Sequence, residues 1–404
     1  MTEPTTLPTA RLAADPHRRA NVLRWQIGYG LFGVPQAAAP IAFALAALPL
    51  TGSAESGAAL VFAMTTAQIL GAVPVSRLGV RFNGVHYLRA LIGLRTLALA
   101  ALTLCSAVGA PLPWLVVPVV VAGVVNGAAY GYQRMLLNHL VEPTGLPRAL
   151  GVAATLNEVT FALAPVLAAL LGAISPVWAL AAATALGIGP LLLLPSIPAA
   201  RAAAPRRPRG PREPVGIAVG LWLLCAAAGA AAVAAVEVGA VSFAVAFGLE
   251  AGWAFVFALV LCAGSVTGGI AVSVRNRVPA TGAVAAYLAA TAAGAGLILL
   301  GGQLATTLAG AAVIGFFLPA LGTFFSIAVD RLAPPHRRAE LFALLRTANS
   351  LGVVLVSGLL AVLGLRAALV GSFALLLLST VLVVARTVRR RRGAPTSADG
   401  PAAW

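Results

Sequence analysis

Apolar residues fill long runs along this chain, and the polar positions collect in short gaps between them. A helix rises about 1.5 Å per residue, so about 20 apolar residues cross a bilayer's hydrocarbon core. Runs of that length lie near 27–49, 57–76, 86–108, 112–133, 149–172 and 176–196. Six more follow near 216–246, 251–273, 279–300, 304–328, 340–364 and 366–387. The pattern predicts an all-α membrane protein with twelve transmembrane helices. The seventh run is long enough to predict a kink or an extramembrane end.

Composition sharpens this. Hydrophobic residues make up 60% of the 404 positions and charged residues only 9%. Soluble domains carry roughly 25% charged residues, so this surface is expected to face lipid. The net charge of +16 would suggest nucleic acid in a soluble protein, but its placement argues against that. Every basic residue is arginine, and the arginines cluster in alternate gaps: Arg77 and Arg81, then Arg134 and Arg148, then the connection from Arg201 to Arg212. Arg275 and Arg277, Arg331 to Arg338, and the tail from Arg386 to Arg392 continue the series. The other gaps hold Arg366, Glu55 and Glu250. By the positive-inside rule both termini are cytoplasmic in an inner (plasma) membrane. Trp114, Trp178 and Trp253 fall at the expected outer interface and Trp25 and Trp222 near the inner one. Polar, proline-containing residues 1–20 do not read as a cleavable signal peptide. Cys105, Cys225 and Cys262 lie in apolar runs without metal-ligand spacing and read as packing residues, with no cofactor or metal implied.

The segment Pro198–Pro214, rich in Pro, Ala and Arg, divides the chain. The expected layout is a tail over 1–26, a six-helix bundle over 27–196, a linker over 197–215, a second bundle over 216–387 and a basic tail over 388–404. The halves echo each other. Asn157-Glu158 recurs as Asn349-Ser350, and Gly172 as Gly364, at the same offset of 192 residues. Duplicated six-helix units build parallel-repeat transporters, with a site near the midplane between the halves.

Between the second and third runs stands Gly71-Ala-Val-Pro-Val-Ser76-Arg77-Leu-Gly79-Val-Arg81. It resembles the G-x-x-x-D-R-x-G-R-R signature of the major facilitator superfamily, and the resemblance extends over essentially all of residues 20–390. Arg77, Gly79 and Arg81 match, Ser76 replaces the aspartate, and Gly71 is one place early. The resemblance implies a two-bundle fold and a glycine turn whose arginines latch the cytoplasmic ends, with one partner of that charge network missing. A degenerate copy survives as Gly268-Gly269 and Arg275-Asn-Arg277. Ala164-Pro165 through Ala168-Ala169 in the fifth run resembles, with alanines for glycines, a motif associated with proton-coupled exporters.

Ionisable residues inside spans cost about 2.5–3.5 kcal/mol on insertion scales and so read as functional candidates. Glu158, about 15 Å into its span, and Glu237 are expected to couple protons. Burial would bring such a carboxyl toward neutral pKa; structural hydrogen bonding is the competing reading for both. The family architecture would turn Glu237 toward the cavity. Arg95 and Arg346 either snorkel or pair with a buried carboxylate. Gln36, Asn126, Tyr130, Ser326 and Asn349 are the uncharged cavity candidates, and Pro35 and Pro40 are expected to break the first span around Gln36.

The leading expectation is a monomeric secondary transporter exporting an amphiphilic drug or secondary metabolite by proton antiport. Its partners would be the lipid bilayer, protons and a small-molecule substrate, with no nucleic acid. A proton-coupled importer of a small solute and a non-transporting membrane sensor are the alternatives. His17, His86, His139 and His336 lie in tails or at loop edges, so no catalytic constellation is present, and an enzyme is not expected.

Overall fold

The computed structural model describes residues 18–142, 146–195, 216–275, 281–300, 302–332 and 338–392. The linker Pro198–Pro214, residues 1–17 and the end of the basic tail lie outside them. Within them the chain forms twelve α-helices. They are α1 Arg18–Thr51, α2 Glu55–Leu78, α3 Gly84–Ala107, α4 Leu112–Leu140, α5 Leu146–Ile174 and α6 Pro176–Leu193. Then come α7 Ile217–Ala246, α8 Phe255–Arg275, α9 Thr281–Leu300, α10 Leu304–Leu332, α11 Arg338–Leu363 and α12 Leu365–Arg392. Eleven of these are long and apolar enough to cross a membrane, and α5 contributes the shorter apolar stretch Val159–Ile174.

Local chemistry sets several ends. Asn83 caps α3, its side-chain Oδ1 accepting the Val85 and His86 N–H groups. Ser175 caps α6 in the same way through Val177, as side-chain oxygens at N-caps do. Gly364, at φ +84°, lets the chain leave α11 and enter α12 with no intervening loop.

The seventh run forms one continuous helix, α7, of 30 residues. Pro35 and Pro40 do not break α1, which is continuous through both. Each proline removes one donor and crowds the preceding turn. In lipid such prolines persist because neighbouring groups satisfy the freed backbone. Separately, Arg95 on α3 donates to the Phe32 carbonyl of α1 at 2.9 Å; the carbonyl that Pro35 leaves without a helical donor is that of Leu31, four residues back.

The chain separates into two compact units. The first comprises Met1–Glu213, Ala234–Cys262 and Val353–Ala368; the second Pro214–Val233, Ala263–Gly352 and Leu369–Trp404. The first unit contains a core around Trp25, Leu88, Ile92, Leu136 and Leu137. The second contains one around Trp222, Leu288, Phe324 and Phe325. Trp25 and Trp222 are thus only 2% and 5% exposed, which corrects the expectation that both lie in an interfacial belt. Trp25 donates its indole N–H to the Gln133 carbonyl at 3.0 Å and stacks on Tyr29. Trp114, Trp178 and Trp253 are all more than half exposed, as belt residues should be.

Helices α2 and α4 meet through glycine. A Cβ on Gly71 would strike the Val124 backbone, and one on Gly123 the Met64 carbonyl. Small residues allow this close packing where no hydrophobic drive joins helices. Gly93, by contrast, faces open space. Gly123→Ala is expected to lower stability by about 1–3 kcal/mol through overpacking, and Gly93→Ala, in open space within α3, to raise it by up to about 1 kcal/mol, read as melting temperatures in detergent.

Candidate functional site

Most hydroxyl groups in the spans are absorbed by their own helix. Thr103 donates to Leu99, Thr184 to Leu180, Thr291 to Tyr287 and Thr380 to Leu376, each to a carbonyl four residues back at 2.8–2.9 Å. Such groups need no partner from another helix. A carboxamide, one bond longer in asparagine and two in glutamine and with two donors to place, can instead find partners across the bundle.

Three carboxamides in the first unit do so together. Asn126 on α4 donates both N–H bonds of its side chain, to Gln36 Oε1 on α1 at 2.7 Å and to Gln68 Oε1 on α2 at 2.9 Å. Asn126 is 3% exposed, and among the described residues no group donates to its buried Oδ1. An unmade hydrogen bond of this kind costs about 1–3 kcal/mol. The cluster therefore presents an acceptor that a donor from a solute or water would satisfy.

Beside it lies an aromatic wall. Tyr130 meets Phe32 edge-on, with centroids 4.6 Å apart, and Tyr29 at 6.1 Å. Gly33 lets Tyr130 and α5 approach α1. A Cβ there would sit 3.6 Å from the Tyr130 hydroxyl, 3.7 Å from Asn157 Oδ1 and 3.3 Å from the Thr160 methyl. Thr160 itself crosses to α1, donating to the Gly30 carbonyl at 3.1 Å.

Arg95 supports this wall from behind. It is 4% exposed, so it does not snorkel. Its guanidinium lies 4.1 Å above the Phe32 ring while bonding the Phe32 carbonyl. A buried cation over an aromatic face gains cation–π energy that water would otherwise weaken. Phe32 is thereby held between Arg95 and Tyr130.

Of the residues singled out in the sequence, Gln36, Asn126 and Tyr130 come together in the first unit. Glu237 sits half-buried on α7 in that unit's segment Ala234–Cys262. Glu158 lies on α5 one residue beyond Asn157, but its side chain is outside the described residues. Ser326, Arg346 and Asn349 belong to the second unit. Ser326 donates to its own helix at Gly322, 2.9 Å away. Arg346 and Asn349 are exposed on α11, and a Cβ on Gly352, three residues on, would strike the Ala227 carbonyl of α7.

The signature turn is built by tyrosines that the sequence motif does not include. Gly79–Arg81 forms a short 3-10 turn after α2. Tyr87 donates to the Val75 carbonyl at 2.6 Å and Tyr132 to the Ser76 carbonyl at 3.1 Å. Their rings occupy the space a Cβ on Gly79 would need, so close approach, not an unusual φ, demands glycine there. The Ser76 hydroxyl bonds back to Ala72 at 2.6 Å, and Arg77 and Arg81 project outward, exposed. Gln68 is the other functional candidate that sequence reasoning missed. An amide midway along an apolar run was the available signal.

Among the described residues no group of three or more His, Cys, Asp or Glu could hold a metal.

The profile of the Major Facilitator Superfamily matches residues 27–357. No curated protein matches the chain. Solved structures do. A bacterial homolog of the human lysosomal transporter Spinster, inward-facing and unoccupied, is 15% identical with a TM-score of 0.68, covering 95% of this chain and 100% of that one. A bacterial homologue of the iron transporter ferroportin, inward-facing, is 15% identical with a TM-score of 0.70, covering 91% and 98%. The nucleoside transporter NupG is 12% identical with a TM-score of 0.68, covering 90% and 99%.

Replacing Asn126 with Ala leaves two glutamine carbonyls without their shared donor. The expected loss is about 1–3 kcal/mol of stability, measured by thermal unfolding in detergent and partly reversed in Asn126→Ala combined with Gln68→Leu.

Proposed function

Since the chain belongs to the major facilitator superfamily and is a non-enzymatic membrane transport protein, we propose that it is a proton-coupled exporter. Its cargo is an amphiphilic solute, moved by alternating access. The observation that carries this reading is the Gln36–Asn126–Gln68 cluster, with its unfilled acceptor, set beside the Phe32–Tyr130 wall. Ligand sites combine mainly apolar and aromatic walls with a few placed polar groups. A solute with an N–H or O–H donor on an otherwise apolar body suits such a surface better than a sugar, which would need many more polar contacts.

Glu158 and Glu237 are the proposed proton carriers, since a carboxyl inside a span is costly unless it serves or is paired. The direction is outward, with antiport drawing on the proton gradient. Both termini and the linker 197–215 would lie in the cytoplasm beneath a plasma membrane, from the alternation of arginines. Two six-helix bundles, 27–196 and 216–387, and a monomer complete the proposal. Ser326 and Asn349 are the proposed solute contacts within the second unit. The exposed Arg77 and Arg81 would act at the cytoplasmic ends, with Ser76 unable to supply the charge of an aspartate.

The test uses proteoliposomes with an imposed pH gradient, a fluorescent lipophilic cation such as ethidium as probe cargo, and an internal pH dye. Wild type is expected to exchange dye for protons. Glu158→Gln and Glu237→Gln are expected to lose more than about tenfold of that exchange, one factor of ten being about 1.4 kcal/mol, while remaining inserted. Wild-type exchange in both variants would remove the coupling assignment. Cargo movement that is insensitive to the gradient would remove proton antiport itself.

A further inference from the structure

Five helix junctions of the first unit share one end by the alternation of helix direction: α1 to α2, α3 to α4, α5 to α6, α7 to α8, and α11 to α12. Close contacts join several of the helices that meet there. A Cβ on Gly252 in the α7–α8 junction would sit 2.8 Å from the Ala173 methyl of α5. A Cβ on Gly358 of α11 would sit 3.1 Å from the Phe62 ring of α2. Cys262 on α8 directs its thiol to the Phe161 carbonyl at 3.7 Å. These contacts are apolar or weak and rely on shape.

One contact at this end has a different character. Glu55, the first residue of α2, accepts the backbone N–H of Leu365, the first residue of α12, at 3.2 Å. The two positions are 310 residues apart in sequence. Helix α12 has no acidic residue of its own in its first turn and carries Arg366 there, the wrong sign for the positive end of a helix dipole. Its N-terminal charge is offset instead by a carboxylate borrowed from α2. Gly364 makes the approach possible: a Cβ on it would lie only 3.1 Å from Glu55 Oε1, and its φ of +84° disfavours any other residue.

We propose that Glu55 is a gating residue, a charged latch that holds the α11–α12 corner against the α1–α2 corner and must release once in each transport cycle. The proposal rests on the transporter reading above, because alternating access requires each end of the cavity to part in turn. A carboxylate accepting a backbone N–H at a helix start forms a charge-assisted bond, stronger than a neutral one and discrete enough to be either made or broken. The shape contacts around it set where the corners meet; the latch sets how often they separate.

The experiment measures spin-label distances in nanodiscs without any cargo, with labels at exposed Val108 and Val362 in a background lacking the three native cysteines. Wild type is expected to populate mainly the short distance. Glu55→Gln, isosteric and able to keep a neutral hydrogen bond, is expected to raise the ratio of long to short distances about tenfold, the scale of a charged hydrogen bond. Glu55→Ala should raise it at least as far, and Glu250→Gln, an exposed acid at the same end, should leave it unchanged. Wild-type distributions in both Glu55 variants would overturn the latch, as would an equal shift in Glu250→Gln. Because no transport is measured, failure here leaves the proton-exchange result standing. Failure of proton exchange likewise leaves the distances interpretable.

Discussion

A chain in hydrocarbon has to satisfy its polar groups from within, and this requirement shapes nearly every feature of the molecule. It allows long helices, whose backbone bonds are internal. It turns serine and threonine back onto their own carbonyls, as Ser76, Thr103 and Thr380 show. It leaves α1 continuous through Pro35 and Pro40, and it turns the buried Arg95 guanidinium onto the Phe32 carbonyl. What remains after these local solutions is a short set of bonds that cross between helices, and the functional candidates come from that set.

The carboxamide cluster and the Glu55 contact are two such remainders with different chemistry. At Asn126 the groups are neutral, half-buried to buried, and one donor short among the described residues. At Glu55 a carboxylate meets a helix start, and the bond is complete. An incomplete site invites a partner, whereas a complete one between separate helix corners resists motion. The proposed binding and gating roles fall at different places on the same unit, with α2 contributing Gln68 to one and Glu55 to the other.

The number and order of helices were legible in the sequence because a run of about 20 apolar residues matches the thickness of a bilayer and exceeds what most soluble cores need. Gln36, Asn126 and Tyr130 stood out for the same reason, as polar side chains within such runs. Their meeting was not legible, because it depends on the rotation of α1, α2 and α4 about their axes. That rotation is set by glycine contacts such as Gly71 to Val124 and Gly123 to Met64. Gln68 carried the same signal as Gln36, an amide within an apolar run, and its bond to Asn126 depends on the same rotations. Trp25 and Trp222 misled in the opposite sense. Tryptophan near a span end ordinarily marks the interface, yet these two are buried in separate cores through contacts made by residues about a hundred positions away, such as Gln133. The turn at Gly79 was recognisable as a motif, but its tyrosine supports come from α3 and α4.

The functional assignment depends above all on the carboxamide cluster bordering a solute-accessible space and not being sealed packing. Thiol accessibility measures this directly. A single cysteine placed by Gln36→Cys, with Cys105, Cys225 and Cys262 replaced, would be challenged in membrane vesicles with a water-soluble methanethiosulfonate. Leu88→Cys, at a fully buried core position, supplies the reference for sealed packing. Gln36→Cys is expected to react at least about a hundredfold faster than Leu88→Cys, the ratio equivalent to roughly 2.7 kcal/mol of access free energy. Equal, negligible reactivity at both positions would contradict it.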